Sequence, residues 1–130
     1  MIGIVVVTHG NIAKEMMSAM EHIVGIQQQM TYVSMNSCDD MEQKRQEIAD
    51  KVKEVNSGDG VVIVTDMFGG TPSNLAISVM KKGEVEVIAG LNLPMLVKLV
   101  RERQKPITEA ISEASEAGRK YINVASELLL

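Results

Sequence analysis

The sequence predicts an α/β fold built on an open, mainly parallel β-sheet with helices on both faces. Three observations predict it. The chain opens on a near-continuous β-branched run, Ile2 to Val7, as expected for a strand covered on both faces. Apolar runs of this kind then alternate with stretches whose apolar residues recur at helical spacing. Pro72, Gly83, Pro94 and Pro106 punctuate the changes.

The elements follow in order. After the first strand, Ile12, Met16, Ala19, Met20 and Ile23 lie at helical spacing and predict a helix over Ile12 to Ile23. Met30 to Met35 reads as a second strand. Asp39 or Asp40 caps a charged helix that runs through Val55 and turns Met41, Ile48, Val52 and Val55 to the core. Val61 to Thr65 is a third, strongly apolar strand. Thr71-Pro72 opens a helix, because Pro suits the first turn and Thr can cap it. That helix reaches Lys82 and stops at Gly83. Val85 to Ala89 is a fourth strand. Leu93-Pro94 opens a helix that ends before Pro106, and Ile107 to Gly118 forms the last helix. Tyr121 to Ala125 reads as a short fifth strand, followed by an apolar tail, Leu128 to Leu130.

With 130 residues the chain fits one domain, residues 1–130, with one core. The net charge of -4 and the absence of any Lys/Arg run argue against nucleic acid and against an anionic membrane surface as partners. The lone Cys38 excludes an internal disulfide and suits a reducing compartment. No signal peptide precedes the first strand, and no apolar stretch approaches the ~20 residues needed to span a bilayer. A cytoplasmic location is expected. The ten methionines read as core filler in a chain with only 2% aromatic residues.

Chemistry concentrates at two strand ends. The first strand ends in Thr8-His9-Gly10, and the third in Asp66-Met67-Phe68-Gly69-Gly70-Thr71-Pro72. With strand order 2-1-3-4, the switch point lies between these two strands, where ligands of open α/β sheets bind. His9 and Asp66 then face each other. A carboxylate on one ring nitrogen fixes the tautomer and leaves the other nitrogen as a nucleophile. Gly69, Gly70 and Thr71, at the start of a helix, form an anion cradle from backbone N–H groups, helix dipole and a hydroxyl. No Walker-type Lys and no metal-ligand cluster is present, so neither a metal nor another cofactor is expected. Met67, Phe68, Leu93 and Met95 are candidates for an apolar docking rim, with core packing as the alternative. His22 reads as a surface residue, Cys38 as a quiet loop or core thiol, and Ser73 as a first-turn helix residue. Glu113 and Glu116 read as a solvated helix face. Two other readings use the same crevice: a non-catalytic anion-binding module, and a regulatory protein controlled by its phosphorylation.

Three segments carry a family likeness: IVVVTHGNIAKEM from Ile4, VIVTDMFGGTPSNLA from Val62, and GLNLPMLVKL from Gly90. In that order the chain resembles the IIA domain of the mannose family of the bacterial sugar phosphotransferase system. The resemblance implies a phosphotransferase with a phosphohistidine intermediate. His9 would be phosphorylated, on Nε2, by the carrier HPr and would pass the group to a IIB partner for sugar uptake through a membrane complex. Asp66 matches the acid that contacts the active histidine, and Gly69, Gly70 and Thr71 match the phosphate loop. The family fold carries an antiparallel edge strand that is exchanged between the subunits of a homodimer; here Tyr121 to Ala125 would be that strand. The chain is expected to be a stand-alone IIA that meets IIB as a separate protein.

Overall fold

Residues 2–8 are all buried, and the strand they build, β1 (Gly3–His9), lies in the interior of the sheet. In the computed structural model, which describes residues 1–129, β1 pairs with β2 (Met30–Met35) on one side and β3 (Val61–Thr65) on the other. The fourth strand, β4 (Val85–Ala89), pairs with β3. All three pairings are parallel and the order is β2-β1-β3-β4.

Side chains of a strand alternate between faces, and β1 uses both. Ile2, Ile4 and Val6 face one apolar layer with Val62 and Val64 of β3; Val5 and Val7 face a second with Val61 and Ile63. The first layer is closed by α1 (Ile12–Val24), α4 (Leu93–Arg101) and α5 (Ile107–Lys120), through Met20, Leu96, Leu99 and Ala110. The second is closed by α2 (Met41–Val55) and α3 (Thr71–Ser78), through Ile48, Val52, Val55 and Ala76. Burying each such aliphatic side chain stabilises the fold by about 1.5–3 kcal/mol. The period-2 pattern of β1 is therefore what holds helices on both faces.

The N-terminal edge of the sheet is tied by Arg103, which is 2% exposed. Its guanidinium donates to the carbonyls of Ile2 at 2.8 Å and Gln29 at 2.7 Å, and to Gln27 Oε1 at 3.4 Å. Burial lowers its pKa, yet an Arg stays charged and so must keep these acceptors.

The structure sharpens two boundaries read in the sequence and moves a third. The α2 cap is Asp40, whose side chain accepts from the Gln43 N–H at 3.0 Å. The α3 helix stops at Ser78 and not at Lys82. The Val79 and Met80 N–H groups bond three residues back, and Lys81 turns to bridge Val85 in antiparallel fashion. The α4 helix stops at Arg101, because the Glu102 N–H closes on Lys98 and Leu99 while Arg103 turns inward. Met41, expected towards the core, is exposed, as are Ile12 and Ile23 of the apolar spacing read on α1. Ala13 takes the inward position on α1 instead of Ile12.

The expected C-terminal antiparallel edge strand is absent from the described residues. Tyr121–Val124 pairs with no strand, and Ala125–Leu129 forms a short helix, α6. A strand needs an edge to pair with. In this single chain the backbone closes locally, with the Leu128 N–H on the Val124 carbonyl at 3.1 Å. Of the apolar tail, Leu128 and Leu129 are exposed, and Leu130 lies outside the described residues. No described helix is long and apolar enough to cross a membrane.

Gly3 lies directly under α2. A Cβ there would sit 2.4 Å from the Val55 carbonyl oxygen and 2.7 Å from Val55 Cγ2. Gly3→Ala is expected to destabilise the fold by about 1–3 kcal/mol through overpacking. A urea midpoint indistinguishable from wild type would show that α2 is free to move away.

Candidate active site

The parallel register places Val7 of β1 beside Thr65 of β3. One residue beyond Thr65 is Asp66, and two beyond Val7 is His9, so the register alone brings the two to one spot at the C-terminal edge of the sheet. This is the switch point between the strands that lead to either side of the sheet.

Asp66 Oδ2 holds His9 twice. It accepts from the His9 main-chain N–H at 3.0 Å and lies 2.7 Å from the ring Nδ1. Asp66 Oδ1 accepts from the Met67 N–H at 3.0 Å and from the Thr65 hydroxyl at 3.3 Å. Burial by itself would raise the Asp66 carboxyl. The bonds from the His9 main chain, the His9 ring and the Met67 N–H outweigh it and hold the group below its ordinary value. An ionised carboxylate only accepts. The proton in the shared bond therefore belongs to Nδ1, and Nε2 of the neutral ring keeps its lone pair. The Asp66 side chain is 14% exposed and the His9 side chain 51%, so the anchor is shielded while the ring is open to a reactant.

The Cε1–Nε2 edge of the ring lies against Gly70. A Cβ on Gly70 would lie 3.1 Å from Nε2 and 2.7 Å from Cε1, so only glycine admits the ring in this position. Gly69 takes φ +90, a left-handed conformation that glycine adopts without strain. Gly70 is the N-cap of α3 and no side chain caps that helix. The Gly70 and Thr71 N–H groups at its start have no partner within the helix and can serve an anion beside the imidazole. Thr71 is exposed at the same turn. The arrangement supplies a nucleophilic nitrogen, an orienting carboxylate and N–H donors for an anion, within one sheet edge.

The rim residues divide. Met67 is 60% and Phe68 58% exposed, beside the site. Met95, a rim candidate with core packing as the alternative, is 4% exposed and belongs to the core. The reason is close helix packing: a Cβ on Gly118 of α5 would lie 3.2 Å from Met95, so α5 rests directly on it. Leu93 is half-buried in a groove of about 380 Å³ between α1, α4 and α5 that includes neither His9 nor the 69–71 loop. His22 and Cys38 are exposed, and Cys38 sits in the β2–α2 turn. Glu113 is paired with Lys105 at 3.0 Å.

Two hydroxyls brace the site that spacing did not single out. Thr8, buried beneath His9, accepts from the Ala13 N–H at 2.8 Å and so fastens the end of β1 to the start of α1. Ser73 is fully buried and donates to the Gly70 carbonyl at 2.9 Å. The available signal was a polar residue inside an otherwise apolar run, which must find a partner when buried.

The profile of the EIIA-man family, described as "PTS system fructose IIA component", matches residues 3–116. The chain belongs to this family. Relatives of this EIIA-man member include the PTS system mannose-specific EIIAB component of Escherichia coli K12, 30% identical over 124 residues. That match covers 93% of the chain but 38% of the relative, so the chain spans well under half the length of that protein. The PTS system sorbose-specific EIIA component of Lacticaseibacillus casei is 26% identical over 126 residues, 95% of this chain and 91% of that one. The mannose/sorbose specific IIA subunit from Enterococcus faecalis superposes with a TM-score of 0.85 at 25% identity, covering 95% of this chain and 93% of that one. The EIIA component from Streptococcus agalactiae shares the fold, with a TM-score of 0.88 at 24% identity and 98% and 99% coverage.

Two outcomes test the geometry. Gly70→Ala is expected to push the imidazole off its place, read as loss of the Nδ1–H signal and a mixed tautomer in ¹⁵N NMR; an unchanged His9 spectrum would contradict the close approach. Because the Asp66 pKa is lowered on folding, its stabilisation is present above the unfolded value of about 3.8 and is lost as pH falls through the folded one. Below about pH 4 the stability advantage of wild type over Asp66→Asn should therefore shrink. An advantage that grows on acidification would have the wrong sign.

Proposed function

We propose that this EIIA-man protein is a cytoplasmic phosphoryl carrier of the sugar phosphotransferase system, phosphorylated on His9 Nε2 by the histidine-phosphorylated carrier HPr and passing the group to a IIB component. The observation that carries this reading is the two-sided imidazole: Nδ1 on Asp66, Nε2 against Gly70 at the uncapped start of α3. The mannose-specific relative's name, EIIAB component, supports a IIB unit as the acceptor.

The step needs little acid–base chemistry. The Nε2 lone pair forms a bond to phosphorus as the donor's P–N bond breaks, and that electron pair returns to the donor nitrogen. Nδ1 keeps its proton, and Asp66 stabilises the positive charge that the ring acquires. The N–H groups of the 69–71 loop and the Thr71 hydroxyl take the equatorial oxygens. In the return direction the same atoms release the group to the acceptor. The protein supplies positioning and charge stabilisation. Met67 and Phe68 would meet the partner's surface and keep water from the transferring group.

A homodimer belongs to the same reading. Tyr121, Ile122, Val124, Leu128 and Leu129 are all exposed, an apolar stretch that a second copy would cover. Light scattering should give about twice 14.2 kDa. A monomer mass at micromolar concentration would remove the dimer from the reading.

The transfer itself is tested by incubation with phosphoenolpyruvate, enzyme I and HPr. Wild type should take up acid-labile phosphate and His9→Ala should not; equal labelling of both, or of neither, would defeat the proposal. Asp66→Ala should fold and still be labelled, but about 100-fold more slowly, as expected for a misplaced nucleophile. An unchanged rate would remove Asp66 from the mechanism.

A further inference from the structure

We infer that Ser73 is a positioning residue for transfer at His9, acting through Gly70; the inference rests on the phosphohistidine reading above. Ser73 touches none of the reacting atoms. Its side chain is 0% exposed, and its hydroxyl donates to the Gly70 carbonyl at 2.9 Å. The Asn74 N–H donates to the same oxygen at 3.1 Å.

The geometry of a peptide group gives this contact its consequence. The C=O and N–H of one trans peptide point in opposite directions. Holding the Gly70 carbonyl along α3 aims the Thr71 N–H the other way, out of the helix N-terminus and towards the anion site. The Gly70 α-carbon is also the wall against which the imidazole lies, since a Cβ there would be 3.1 Å from Nε2. One hydroxyl thus sets both the donor that receives a phosphoryl oxygen and the surface that limits the ring. Two consecutive glycines precede Thr71, and glycine backbone is the most costly to hold in one conformation. No side chain caps α3, so on the helix side the Gly70 peptide is held by Ser73 and the Asn74 N–H. Removing the hydroxyl leaves Asn74 on the carbonyl. The helix should therefore survive while the peptide plane loosens.

The test is Ser73→Ala in rapid-quench transfer from phosphorylated HPr, with NMR of the phosphorylated chain. Turnover at saturating donor should fall about 10- to 100-fold, as for a misaligned reactant, with KM for the donor unchanged. In wild type the Thr71 amide proton should move downfield on phosphorylation, and in Ser73→Ala that shift should shrink. Ser73→Thr, which keeps the hydroxyl, should recover most of the turnover. Equal turnover in wild type and Ser73→Ala, or a raised KM with turnover intact, would overturn the inference while leaving phosphorylation of His9 standing. If Ser73→Ala does not fold, the wild-type spectrum decides: a Thr71 amide unmoved by phosphorylation overturns it. A wild type that takes no phosphate would defeat the reading of function itself, and this inference with it.

Discussion

One carboxylate oxygen, Asp66 Oδ2, receives two hydrogen bonds from a single residue, the His9 main-chain N–H and the His9 ring. The pairing spans the C-terminal edge between β1 and β3, so it serves fold and site together. It fastens the end of the central strand and orients the ring in the same contact. The other Asp66 oxygen is held by Thr65 and Met67, which keeps the carboxylate from turning away. A hydrogen bond to a charged group contributes roughly 1.5–3 kcal/mol where it is shielded. That is enough to keep a half-exposed imidazole in one orientation against the rotamer entropy it would gain by turning.

The rest of the structure makes that contact possible. The parallel register of β1 and β3 decides which residues meet, and the apolar side chains of β1 on both faces decide the register, because a one-residue slip would turn Ile4 and Val6 out of their layer. The α3 start then follows Asp66 by a few residues, which is why the N-terminus of a helix lies beside the His9 ring. Gly3 beneath Val55 and Gly70 beneath His9 play parallel roles: each removes a side chain so that another element can approach.

Much of this was legible in the sequence, for identifiable reasons. Met30–Met35, Val61–Thr65 and Val85–Ala89 are strands with the bounds read in the sequence. His9 and Asp66 were legible as a pair because both end such runs. The choice between rim and core for Met95 was not legible, since its burial depends on Gly118, which lies 23 positions along the chain on a different helix. The early end of α3 depends on Lys81 pairing with Val85, again a tertiary contact. The segment after Lys120 carries strand-forming residues, but a strand is made by its partner, and this chain folds the tail on itself. Thr8 and Ser73 were hidden because a buried hydroxyl looks unremarkable until its acceptor or donor is known.

In the proposed function the phosphoryl group sits on one nitrogen of one ring. Long-range ¹⁵N–¹H and ¹⁵N–³¹P NMR of the chain phosphorylated by HPr tests this most directly. It should show phosphorus coupled to His9 Nε2 and a proton retained on Nδ1, bonded to Asp66. Phosphorus on Nδ1, or a His9 ring unchanged while phosphate is incorporated elsewhere, would contradict it.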